Sequence, residues 1–268
     1  MLTVKSRIES IIHTSTIGIT IPNVKTLELA DLNGAEIQNL PDLPNLRLGK
    51  QIERIFALLI DNSTNYSILK ENVQVIENKV TVGEIDFIIQ NNLTKQISHL
   101  EIVYKFYLYD PNQSTNELEK WIGPNRKDSF IEKFEKLKLK QFPLLFKPQT
   151  KPYLDEYTIQ NMAQKLCFMA NLFVPLSMLD QQFSHINNSA ISGYWLTYRN
   201  FISQDHKKQH FYLPKKQHWG IEPQFNSEWF SYSDIILQID DTLERQFSPL
   251  CWIKINESTF EQCFIVWW

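Results

Sequence analysis

Two stretches decide how this chain folds: Gly83-Glu84-Ile85-Asp86-Phe87-Ile88-Ile89, and His99-Leu100-Glu101-Ile102-Val103-Tyr104-Lys105-Phe106-Tyr107-Leu108. Both are rich in β-branched and aromatic residues, which favour a pleated, half-buried surface. Side chains alternate across a strand, so Glu84, Asp86 and Ile88 point one way while Ile85, Phe87 and Ile89 point the other. By the same rule His99, Glu101, Val103, Lys105 and Tyr107 share a face, opposed by Leu100, Ile102, Tyr104, Phe106 and Leu108. Acids and a lysine therefore recur on single faces of strands whose other faces are apolar. Ionised groups near a core are costly unless paired or metal-bound, so the placement asks for a chemical reason.

Outward from these strands the pattern is helix, three strands, helix. Upstream, Ile52, Ile55, Phe56 and Leu59 have the spacing of an amphipathic helix that starts near Gly49 and ends near Asp61-Asn62-Ser63. Glu53 borders its buried stripe. Three β-like runs follow, Tyr66 to Ile76, Lys79 to Ile89 and Ile97 to Leu108. The first two, joined only by Glu77-Asn78, are expected to form a tight hairpin, and the polar turn 90–96 extends the meander to the third. Gly83 marks a bulge or a close backbone approach. Downstream, Asp128 or Ser129 is the expected N-cap of a second helix with Phe130, Phe134, Leu137 and Gln141 on one face and Pro143 and Pro148 closing it. Residues 1–47, broken by Pro22, Pro41 and Pro44, read as an N-terminal cap with a turn at Asp42-Leu43-Pro44-Asn45. After Tyr153 the chain reads as an apolar segment and then β-like runs separated by polar turns.

Composition sets the frame for this pattern. With 268 residues, 43% hydrophobic and 13% aromatic, the chain can bury a substantial core. The three cysteines, Cys167, Cys251 and Cys263, are widely spaced without a CxxC pair, which argues against a disulfide scaffold or cysteine-based zinc site and for a reducing compartment. No signal-peptide core is evident and no window of about 18 apolar residues occurs, so a cytoplasmic protein with no membrane partner is expected. The net charge of −3 is unevenly distributed: residues 120–151 hold nine basic and three acidic side chains, +6, which leaves −9 for the rest. That segment is either a solvated helix face or a patch facing a polyanion, DNA or RNA. Arg126, Lys127 and Lys133 are the expected phosphate contacts.

The acids carry the chemistry. Mg²⁺ and Mn²⁺ take oxygen ligands, commonly one or two carboxylates completed by water and substrate phosphate. Asp86 and Glu101 on neighbouring strands could supply the carboxylates. Lys105, four residues further along the same strand face, could position the attacking water or stabilise charge on a phosphate. The competing structural readings are a same-face salt bridge for Glu101 and Lys105 and a helix N-terminal acid for Glu53.

An acid on the first helix, an aspartate on the second strand and an acid with a lysine on the third resemble the PD-(D/E)XK phosphodiesterase superfamily, which includes many restriction, repair and recombination nucleases. The strings Leu48-Gly49-Lys50-Gln51-Ile52-Glu53, Gly83-Glu84-Ile85-Asp86-Phe87, His99 to Leu108 and Gly123-Pro124-Asn125-Arg126 look more narrowly like a bacterial domain-of-unknown-function family, number 1853, over most of the chain. By the superfamily likeness Glu53 and Lys105 are the catalytic pair and Asp86 and Glu101 the metal ligands. The chain departs from the motif at Val103, where the usual spacing puts a carboxylate. Glu101 lies two residues earlier on the same face, about 6.5 Å along the strand.

Other motifs are weaker. His206 and His210 have a helical metal-pair spacing in a polar, lysine-rich stretch without a companion ligand, which reads as a surface loop. There is no GxGxxG, GxxxxGK[ST] or GxSxG. Trp195, Trp219, Trp229, Trp252, Trp267 and Trp268, among Lys207, Lys208, Lys215 and Lys216, offer stacking for single strands, although packing is the default role of such rings.

The expected protein is α/β. It has a nuclease-like core of helix, three-strand meander and helix at 48–152 in a mixed sheet, a cap at 1–47 and a β-rich extension at 153–268, which either stands apart or joins the same domain. Its expected function is Mg²⁺- or Mn²⁺-dependent hydrolysis of phosphodiester bonds in DNA or RNA. The alternative is a non-catalytic nucleic-acid-binding or complex-forming protein, with a protein partner, on the same scaffold.

Overall fold

The computed structural model describes residues 3–32, 46–154, 156–204, 206 and 208–268. The turn expected at Asp42-Leu43-Pro44-Asn45 lies outside them, as does Lys207.

A short helix α1 (Val4–Ile12) opens the described chain, capped by reciprocal bonds between Thr3 and Ser6. Strand β1 (Val24–Thr26) follows, and then α2 (Leu48–Asp61) buries Leu48, Gln51, Ile52, Ile55, Phe56 and Ile60 along one side. The spacing read from the sequence is the stripe that packs. Strands β2 (Tyr66–Glu77) and β3 (Val80–Asn91) pair antiparallel, from Tyr66 opposite Asn91 to Glu77 opposite Val80. Their two-residue turn, Asn78-Lys79, has positive φ at both positions, 49° and 65°, as a type I′ hairpin requires. Two register shifts bend β2.

Strand β4 (Ile97–Tyr109) is the hub. It pairs antiparallel with β3 and with the short β5 (Trp121–Ile122), and parallel with β6 (Ala163–Pro175) from Ser98↔Ala163 to Leu108↔Phe173. Between β5 and β6 runs a helical segment: α3 (Phe130–Lys136), a π-helical stretch Leu137–Gln141 and a last turn α4 (Phe142–Leu144). Ser129 caps α3 by accepting from Glu132 N–H. Pro143 was expected to close this helix. Instead the backbone widens before it, with Phe142 N–H bonding to Leu137 O, and the helix continues through the proline. A π turn removes the fixed i−4 partner that proline cannot supply.

The chain beyond Tyr153 extends the same sheet. Strand β7 (Ile191–Thr197) adds parallel to β6, followed by β10 (Phe260–Val266), β9 (Leu250–Lys254) and β8 (His210–Tyr212). The order is β2-β3-β4-β6-β7-β10-β9-β8, with β1 on β6 and β5 on β4, ten strands among the described residues in a mixed α/β arrangement. This stretch is less purely β than expected, because it also holds α5 (Tyr198–Ile202) and α6 (Tyr232–Glu244). Helix α6 buries Ile235 and Ile239 against β9 and β10. Its signal was present in the sequence as Ile235, Ile239 and Leu243 at a four-residue interval behind the Ser231 cap.

The central strands are buried on both faces. Phe87, Leu100, Phe106 and Phe264 pack with α2, whereas Val103, Tyr107, Phe168 and Leu172 pack with Phe130, Leu137 and Phe142 from the opposite side. This explains why β6 reads Leu-Cys-Phe-Met-Ala-Asn-Leu-Phe-Val rather than as an alternation. Among the described glycines, backbone approaches most closely at Gly193 in β7, where a Cβ would lie 2.3 Å from the Gln262 carbonyl oxygen. Gly193→Ala should therefore destabilise the protein by about 2 kcal/mol in urea unfolding. Gly49→Ala, whose methyl meets no described atom within 4 Å, should be neutral or stabilise by up to ~1 kcal/mol. Equal midpoints for the two variants would refute this account of the packing.

Candidate functional site

The β3–β4 ladder runs from Gln90↔Ile97 to Phe87↔Leu100 and there gives out. The next residues in that register are Asp86 and Glu101. In place of a backbone pair, the Asp86 carboxylate accepts the Ile102 N–H at 2.9 Å. The two acids that the sequence singles out thus stand at the point where two strands part. A half-buried Asp86 is costly in its charged form, and its pKa is pushed up to about 8, first by desolvation, then by the charge of Glu101, with the Ile102 bond opposing and Glu53 adding to the rise.

Glu101 is fully buried and faces the α3 side, as the alternation predicts. His99 Nε2 lies 2.7 Å from its Oε1, and the Gln141 side-chain amide donates to Oε2. Gln141 in turn accepts from Lys133 Nζ at 2.7 Å. The π stretch matters here, because it sets Lys133 and Gln141 on one inward face and aims both at the strand fork. Lys133 is held below its ordinary pKa by desolvation, against the opposing pull of Glu101 and Asp86. The His99 ring packs on Phe142 at 5.4 Å and leaves Nδ1 without a partner.

Glu53, on α2, bonds to Lys50 Nζ at 2.6 Å, and the same ammonium reaches Glu84 at 3.1 Å. Glu53 and Lys50 line a groove of about 800 Å³ between α2 and β2. Its charge reaches Asp86, but its hydrogen bond goes to Lys50.

Lys105 is placed elsewhere. Its Nζ sits 2.6 Å from Asp128, not against Glu101, so the same-face salt bridge considered from the sequence is replaced by a pair with the loop before α3. That loop is compact. Gly123 N–H bonds to Asp128 O at 2.7 Å, and a Cβ at Gly123 would collide with the Asp128 carboxylate. Arg126, at φ 55°, donates to Asp110 at 2.9 Å and to Gln113 at 2.7 Å, and stacks 4.6 Å over the Trp268 ring. Pro124 O accepts from the Trp268 indole, and Asn125 from Ser248 N–H. The Gly123-to-Arg126 string is thus a joint that ties the chain end to the sheet. Lys127 is exposed beside it.

The structure brings together Asp86, Glu101 and Lys133, with Glu53 in electrostatic reach. Lys105 bonds to Asp128 and Arg126 to Asp110 instead of to the two acids, although the charge of Lys105 still reaches Lys133. Three partners went unread in the sequence, namely His99, Gln141 and Asp128. Two had a signal: His99 shares Glu101's strand face, and Gln141 lies on the buried face of the second helix. His206 is buried against Phe201 and Phe211 rather than on a surface loop, and Trp219 and Trp252 are packed inside.

Among the described residues no group of three or more His, Cys, Asp or Glu is arranged to hold a metal ion, and no helix is long and apolar enough to cross a membrane. No curated protein and no solved structure matches the chain significantly. One family model, the domain of unknown function DUF1853, matches residues 4–266, and by that match over nearly its whole length the chain belongs to the DUF1853 family.

Proposed function

We propose that the protein is a Mg²⁺- or Mn²⁺-dependent phosphodiesterase of the PD-(D/E)XK type acting on DNA or RNA. The observation that carries this reading is the juxtaposition of Asp86 and Glu101 at the strand fork, where the charges of Glu101 and Lys133 both act on Asp86. The order α2, β2, β3, β4, α3, with β6 returning parallel to β4, supports it, being the helix–meander–helix arrangement that the motifs imply.

The donor set fits a hard cation. Both acids offer oxygen, and two carboxylates completed by water and phosphate oxygens are a common Mg²⁺ arrangement. A bound ion would offset the charge crowding at Asp86 and acidify its water. Asp86 is oriented for this by the Ile102 N–H, and Glu101 by His99 and Gln141. Lys133 is the ammonium placed to stabilise negative charge on a phosphate at the fork. Glu53 and Lys50 would border the approaching strand along the α2–β2 groove.

Three features favour a second reading. Both Glu101 oxygens are already bonded, Val103 stands where the motif acid belongs, and Lys105 is tied to Asp128. Those facts suit a non-catalytic nucleic-acid-binding or complex-forming protein on the same scaffold. A cleavage screen separates the two readings. Single- and double-stranded DNA and RNA are incubated with the full chain in Mg²⁺, Mn²⁺ or EDTA. Metal-dependent nicking of at least one substrate, absent in Asp86→Ala, is expected. Binding without cleavage of any of them would move the assignment to the scaffold.

A further inference from the structure

A cavity of about 560 Å³ has a lining that includes Arg47, Gly49, Lys105, Phe106, Asp128 and Lys216. Asp128 is the one acid among the described residues that line it, and it is paired with Lys105. Arg47 and Lys216 remain as cations around an open space, Lys216 lying 5.5 Å over the Trp219 ring. Like charge is crowded here. Lys216 is held below its ordinary pKa by desolvation, and further by Lys105 and Lys127, against the pull of Asp128. Cations held together without a matching acid have an unfavourable energy that an anion relieves. The floor is apolar, formed by Phe106 and Trp219 packed edge to face at 5.3 Å. The first turn of α2, which opens onto the cavity at Gly49, contains no acid.

We propose that this cavity binds a nucleotide phosphomonoester, with its phosphate against Arg47, Lys216 and Lys105 and its nucleoside against the apolar floor. Two cations beyond the neutral Lys105–Asp128 pair match the roughly two charges of a phosphomonoester near neutral pH. The volume exceeds what a lone phosphate fills and falls within the roughly 300–1,000 Å³ typical of small-molecule sites. The same chemistry is carried by a free nucleotide and by the phosphorylated end of a strand. The site needs no metal and does not depend on the hydrolytic reading, so it is tested in EDTA by binding alone.

Calorimetry on the full chain at low salt compares adenosine 5′-monophosphate, adenosine, inorganic phosphate, and a thymidine tetranucleotide with a 5′-phosphate or a 5′-hydroxyl. Binding of a phosphorylated nucleotide probe, and no binding of adenosine or the hydroxyl-ended strand, is expected. Tighter binding of the phosphorylated tetranucleotide assigns the site to strand ends, and tighter binding of the mononucleotide assigns it to free nucleotides. Arg47→Gln with Lys216→Gln should weaken the interaction at least tenfold. Gly49→Glu should do the same with an unchanged or higher Tm, because it fills the opening with a like-charged group while adding a favourable first-turn acid to the helix. No binding of either phosphorylated nucleotide probe, inorganic phosphate binding as tightly as they do, or undiminished affinity in both variants would overturn the proposal.

Discussion

Asp86→Asn is expected to flatten the pH dependence of stability in the metal-free protein and to remove its response to Mn²⁺. The sign follows from proton counting. An aspartate near 3.9 when unfolded and about 8 when folded leaves the native state holding one more proton than the unfolded chain between those values. Stability is therefore fully present below about pH 4 and is lost as pH rises towards 8. At ~1.4 kcal/mol per unit the loss is on the order of 5 kcal/mol. Asparagine keeps an oxygen for Ile102 N–H but cannot ionise, so urea unfolding in EDTA at pH 5, 6, 7 and 8 should show a shallower decline and a more stable protein at pH 8. Adding Mn²⁺ at neutral pH should do for the wild type what the substitution does. An ion at 100 times its Kd adds about 2.7 kcal/mol, and the variant should gain almost none. Parallel pH profiles for the two proteins would show that Asp86 is not the group under strain, and an equal Mn²⁺ response would remove it from any metal site.

Much of this arrangement was legible because it rests on periodicity. The stripe of α2 and the alternating faces of β4 follow from side-chain period, and the structure reproduces them at Ile52 and Phe56 and at Glu101 against Leu100. The two-residue hairpin is present too, but its turn is Asn78-Lys79, one residue beyond the expected Glu77-Asn78. What was not legible depends on pairs formed across long sequence distances. Lys105 and Asp128 are 23 residues apart, and Glu101 and Gln141 are 40 apart. No local spacing distinguishes the lysine that meets Glu101's strand face from the one that meets the partner helix. The π turn is a second cause. An ordinary helix ended by Pro143 would not have set Lys133 and Gln141 towards the fork, and a widened turn has no sequence signature beyond the proline that it accommodates. Arg126 reads as a phosphate contact from the sequence because it is basic and lies at the start of the second helix in the basic segment. Its partners Asp110 and Trp268 come from distant parts of the chain.

The same distinction decides which lysine works. The motif assigns the role to Lys105, whereas Lys133 stands beside Asp86 and Glu101, desolvated and aimed through Gln141 at the buried acid. If charge on the phosphate is stabilised from the helix, Lys133→Ala should lower metal-dependent nicking by roughly 10²–10³-fold, the usual cost of losing one preorganised donor. The change should appear in kcat, with substrate affinity nearly intact, because such a contact is made in the transition state. Lys105→Ala should reduce nicking less than tenfold. Stability gives an independent readout. Lys133 is desolvated, so its removal frees Gln141 Oε1 at little net cost. Lys133→Met, which keeps the stem and removes the charge, should leave the Tm within a degree or two while remaining as inactive as Lys133→Ala. Glu101→Ala should melt far earlier, since it strips the partner from a fully buried His99 and Gln141, a loss of about 3–5 kcal/mol. The reverse ranking, Lys105→Ala inactive and Lys133→Ala active, would restore the strand lysine and make the Lys105–Asp128 pair a resting contact that substrate displaces. Full activity in both variants would leave no lysine in the chemistry, and the fork would then be a polar structural joint like the one around Gly123.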